Sequence, residues 1–127
     1  MAFISWSSIM ALLGGPDVFS RRNDVHYWSG WVEEDGKTRK LKVTQVSLDE
    51  SGLDVTIKEG EKPDLTLSAV PGNLSHTKVL VNEVLDPESS LIFAPKPSIF
   101  NLTRYAFDFR PVTLDGKEVR FNLRYDP

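Results

Sequence analysis

The chain has 127 residues, 40% of them hydrophobic and 26% charged, and a formal net charge of −3. That length suits one domain, and the composition supplies a core and a surface, which excludes disorder for the bulk of the chain. The slight acidic excess predicts no nucleic-acid partner, and zero cysteines exclude disulfides, thiolate nucleophiles and cysteine-ligated metals while favouring a reducing, cytoplasmic compartment.

Residues 1–15 are apolar. They carry no basic residue ahead of the apolar stretch, lack a clear small-x-small cleavage site and are too short to span a bilayer, so a short helix is expected rather than a signal peptide. Ser5 is placed to cap that helix, Ile4 to pack on Ile9, and Gly14 with Pro16 to end it. Trp6, Ile9, Met10 and Leu13 recur at helical spacing and mark the face that should dock.

From Val25 the period falls to two. Val25–Glu33 and Thr38–Leu48 flank Asp35-Gly36, and an Asp-Gly pair between strand-like runs is the signature of a type I′ hairpin. That turn sets Gly30 opposite Leu41 and Trp28 opposite Val43. One face of the hairpin then carries His26, Trp28, Val32, Leu41 and Val43, and the other Tyr27, Trp31, Lys40 and Lys42. Asp49-Glu-Ser-Gly52 turns the chain into Leu53, Val55 and Ile57, and Glu59–Pro63 turns it again into Leu65, Leu67 and Ala69. Lys78–Leu85 fits either a strand or a helical turn. Ser90–Ala94 reads as a strand, followed by an irregular connection at Pro95 and Pro97.

The last hairpin alternates Tyr105, Phe107 and Phe109 with polar residues and, after Asp115-Gly116, Val119, Phe121, Leu123 and Tyr125. A two-residue turn sets Val112 opposite Val119. Carried on unbroken, the register puts Phe109 opposite Asn122, so a bulge near Pro111 is expected to restore aromatic pairing. The whole reads as an all-β, mainly antiparallel domain of roughly eight strands, a barrel or a sandwich with a nearly closed barrel favoured. Residues 25–125 form the β domain and 1–15 the helical segment of a single domain.

Trp28-Ser-Gly-Trp31, with its hairpin and the strand after it, resembles the opening strands of lipocalin and avidin barrels. The resemblance implies a barrel with an interior ligand. The paired hairpins Leu53–Ala69 and Tyr105–Tyr125 are similar to the cyanovirin type of lectin, which implies carbohydrate binding; that family's cysteines are missing, and Pro87-Glu-Ser-Ser90 stands where it has an Asp-Gly turn.

No G-x-S-x-G elbow, HExxH or glycine-rich phosphate loop is present, and nothing calls for a cofactor or metal. The two histidines, His26 and His76, lie far apart with no carboxylate pattern beside them. A binding protein is therefore favoured over an enzyme. The first expectation is a small, largely apolar ligand inside the barrel, with Trp28 and His26 at the pocket and Gln45 across from His26. The alternative is a protein- or carbohydrate-interaction face carrying Tyr27, Trp31, Lys40 and Lys42, extended by Arg110, Arg120 and Arg124 of the last hairpin. There Asp108 is expected to meet Arg124 in an exposed salt-bridge ladder. Asn73-Leu-Ser75 and Asn101-Leu-Thr103 are glycosylation sequons.

Overall fold

A computed structural model describes residues 5–13, 21–72, 77–97 and 103–127, with backbone alone at 96, 97 and 103. Ile4, Gly14, Pro16, His76 and the asparagines of both sequons lie outside the described residues.

The helix α1 runs from Trp6 to Leu12, and Ser5 caps it by accepting from the Ser8 N–H at 3.2 Å. Two 3-10 turns, Arg21–Asn23 and Val25–Tyr27, lead into the strands. These are β1 (Trp28–Glu34), β2 (Lys37–Asp49), β3 (Gly52–Lys58), β4 (Leu65–Pro71), β5 (Thr77–Val81), β6 (Val84–Leu85), β7 (Ser90–Pro97), β8 (Thr103–Leu114) and β9 (Lys117–Tyr125). They form one antiparallel sheet in the order β6-β5-β4-β3-β2-β1-β9-β8-β7, curled into a half-barrel. No helix among the described residues is long and apolar enough to cross a membrane.

The up-and-down order brings β9 back onto β1, but among the described residues no ladder joins β6 to β7, so the barrel stops half closed. The local residues explain why. β6 has two residues, and the chain then leaves at Asp86-Pro87. On β7, Pro95 and Pro97 pair with Tyr105 and Thr103 without an N–H to give, so their nitrogens take the outward edge and leave it without donors there.

Turn chemistry sets the registers. Asp35 and Gly36 adopt φ of 52° and 75°, and Asp115 and Gly116 adopt 50° and 76°, the paired positive values of type I′. Asn82 and Glu83 do the same at 50° and 67°, which resolves Lys78–Leu85 as two short strands. Asn82 is anchored to β4, accepting from the Thr66 N–H at 3.0 Å and donating its own N–H to the Thr66 carbonyl at 2.8 Å. Gly52, at φ 135°, lies against β4, where a Cβ would strike the Ala69 carbonyl oxygen.

The bulge expected near Pro111 is present. Phe109 pairs with Phe121 and Val112 with Val119, with Arg110 and a cis Pro111 between them. A second bulge, between Val43 and Gln45, keeps Val46 and Leu48 in phase with the core after Leu41 and Val43. The inner face is a filled core: Phe107, Phe109, Leu123, Val112, Leu67 and Val79 are fully enclosed, and Trp28 packs on Tyr125 and Phe107 at centroid distances of 5.1 and 5.5 Å. Trp6, Ile9 and Met10 of α1 join this core, and the Trp6 indole N–H donates to the Asp49 carbonyl at 2.7 Å.

Candidate functional site

The two residues expected at an interior pocket are not brought together. Trp28 is buried in the filled part of the core, its indole N–H donating to the Arg22 carbonyl at 3.1 Å. His26 is outside, its side chain 86% exposed. The reason is local: Val25–Tyr27 form a 3-10 turn capped by Asp24, so strand alternation begins only at Trp28. The partner of His26 is Asp24, whose carboxylate accepts from the His26 N–H at 3.0 Å and lies 2.7 Å from ring Nδ1, while Gln45 is exposed. Those bonds, the backbone one foremost, hold the Asp24 carboxyl below its usual range.

The interior opens instead at the other end of the same strands. Where the tips of the β1–β2, β3–β4 and β8–β9 connections converge, a cleft of about 550 Å³ is floored by Val32, Leu41, Ile57, Leu65, Val119 and Phe121. Charged side chains rim it in mutually paired positions. Arg39 forks onto Glu59 and reaches Glu34 at 3.4 Å, Lys62 reaches Glu59 at 3.2 Å, and Lys117 lies 3.9 Å from Glu34. The Arg39 bond keeps the Glu59 carboxyl below its ordinary range, and the same bond raises the Arg39 guanidinium. Composition held a hint of this rim, since Glu59, Glu61 and Lys62 cluster in one turn, but nothing in the linear order placed that turn beside Arg39 and Lys117.

The second region is the outer face of the first and last hairpins. Trp31 stands between Lys40 and Asn122, and Glu33 between Thr38 and Arg120. The Arg124 guanidinium lies over the Trp31 ring, 4.7 Å from its centroid. Trp31, Glu33, Thr38, Arg120, Asn122 and Arg124 border a shallow hollow of about 320 Å³. Tyr27, expected on this face, is instead half-buried against the core with Arg21 over its ring, because it belongs to the 3-10 turn and not to β1.

The expected exposed ladder is different in kind. Asp108 is buried, although it lies on the outer side of β8 between Ile92 and Asn122. It is held by Arg120 at 2.9 Å and Arg110 at 3.3 Å, not by Arg124. That bond raises the Arg120 guanidinium, with Glu33 at 3.8 Å adding a weaker attraction. Two arginine stems covering one carboxylate account for its burial.

Among the described residues no group of three or more histidine or carboxylate side chains is placed to hold a metal ion. No protein-family model, curated protein or solved structure matches the chain, so function has to be read from this geometry.

Proposed function

We propose that the protein is a non-enzymatic binder of a small, largely apolar ligand, held in the cleft at the open end of the half-barrel. The supporting observation is the cleft at the unclosed end, where half-buried Leu65 and Leu114 line a space above the buried Val32, Leu41 and Ile57. A volume of about 550 Å³ lies in the range of small-molecule sites, about 300–1,000 Å³. The floor is aliphatic and aromatic, so burial of apolar ligand surface drives association. The rim charges already neutralise one another, which favours a ligand without net charge and leaves a few polar groups at the mouth to orient it.

Titration with a neutral environment-sensitive dye such as Nile red tests this. Saturable fluorescence enhancement is expected, and it should be lost in Leu114→Trp, which fills the cleft from the end of β8, while the thermal midpoint of that variant is kept. His26→Ala should bind the dye as the wild type does. Equal dye binding by Leu114→Trp would sink the proposal.

A further inference from the structure

We infer that the outer face of β3, β2, β1 and β9 carries a second site, which binds an acidic glycan by stacking a sugar ring at Trp31 and pairing its carboxylates with the surrounding cations. The inference does not rest on the cleft, which opens from the inner face and meets this surface at Lys58.

Alternation and pairing bring the basic residues together. Lys40 lies directly opposite Trp31, Lys42 is two residues further along the same face, and Lys42 lies directly opposite Lys58 of β3. Across Trp31, Arg124 stacks on the ring. Other cations of this sheet face are already engaged: Arg104 with Asp126, and Arg110 and Arg120 with Asp108. Arg124 is held by Trp31 and by Asn122, to which it donates at 3.1 Å, whereas Lys40, Lys42 and Lys58 have no carboxylate within ion-pair distance among the described residues. In a chain of net charge −3 such a cluster does not follow from composition.

The structural roles that lysines often fill on strands do not explain this one. Lysine guards the free edge of a sheet, yet β2 is an interior strand, paired with β1 on one side and β3 on the other. Lysine stems also cover aromatic rings, which accounts for Lys40 beside Trp31 but not for Lys42 facing Lys58. Like charges directly opposite on neighbouring strands are destabilising, and an external anion removes that repulsion.

The uncharged partners choose the class of anion. A pyranose has an apolar ring face and a rim of hydroxyls. The half-exposed Trp31 ring carries the Arg124 guanidinium, which a sugar face would displace toward a carboxylate, and Thr38 and Glu33 around the same hollow can accept from or donate to the rim. Nucleic acid would also stack and pair with cations, and oligothymidylate is the arm of the test that separates the two.

The test is titration of the full chain with tetragalacturonate, read by calorimetry and by tryptophan fluorescence, against a neutral tetraglucan and oligothymidylate. Binding of the uronate is expected, weakening with added salt as exposed ion pairs do, with the neutral glucan at least about tenfold weaker. Lys40→Gln/Lys42→Gln, which changes exposed side chains only, should weaken it by about tenfold or more. Trp31→Ala should remove the fluorescence response. Leu114→Trp should bind the uronate unchanged, which separates this site from the cleft. Absence of uronate binding, equal binding of the neutral glucan, or tighter binding of oligothymidylate sensitive to the same lysines would each overturn the inference.

Discussion

The two ends of the half-barrel are built from the same strands and have opposite character. At one end β1 and β9 close with Trp28 on Tyr125, Tyr105 stacks on Tyr125 and Phe93, and α1 lays Trp6, Ile9 and Met10 over the opening. At the other end the same hairpins finish in Glu34, Lys37, Asp115 and Lys117, and charged side chains rim the cleft above the buried Val32 and Leu41. Curling a sheet does not by itself make or fill a pocket. What caps each end decides it, and here a helix supplies apolar side chains to one end while turns supply charges to the other.

The largest expected effect lies at the closed end. Phe107 touches Trp28 and Phe93 and is fully enclosed, so Phe107→Ala should cost about 3–5 kcal/mol in urea unfolding. Leu65→Ala, at a half-buried floor position of the cleft, should cost well under half of that. Equal costs would erase the contrast between the ends. Next comes the helix. Ile9 is 1% exposed, so Ile9→Ala should cost about 2–3 kcal/mol, and an unchanged stability would show that α1 is dispensable to the core.

The outer face sharpens the contrast through two arginines of β9, Arg120 and Arg124. Arg120→Ala strips a bond from buried Asp108 and should cost about 1–3 kcal/mol. Arg124→Ala loses an exposed stack on Trp31 and should cost about 1 kcal/mol or less. The reverse order would mean that Arg124, not Arg120, supports the carboxylate.

The smallest effect belongs to the open rim. Glu59→Gln removes partly exposed ion pairs and should cost about 1 kcal/mol or less. Its signature is pH. Because the folded-state carboxyl is held below its ordinary value, its contribution is complete above the unfolded-state value and fades as pH falls through the depressed one. The difference between wild type and Glu59→Gln should therefore shrink on acidification below the usual carboxylate range and stay constant toward neutrality. A gap that widens in acid would mean Glu59 is not stabilised by Arg39.

Much of the fold was legible because its signals are local. The three Asp-Gly or Asp-x-x-Gly turns, the capped N-terminal helix and the bulge at Pro111 follow from turn sterics and from the need to match apolar faces over a few residues. The same logic failed at Val25–Tyr27, where Asp24 offered its carboxylate as a cap and a 3-10 turn displaced the start of the strand, carrying His26 and Tyr27 off their expected faces. It was silent at Asn82-Glu83, since a glutamate at positive φ is not a turn signal.

By itself the sequence determined β1 to β4, β8 and β9, the Asp-Gly turns, and which side chains of Trp28–Glu34 and Arg104–Tyr125 face inward, because period two is a property of each strand alone. Tertiary structure decided what lies between distant strands. It brought β9 onto β1 and so placed Arg124 on Trp31; it buried Asp108 under Arg110 and Arg120; it set Lys42 against Lys58; and it left β6 and β7 unjoined. Each of these depends on sheet curvature and on pairing between residues remote in the chain, and those are settled by burying the common core, not by any one segment's preference.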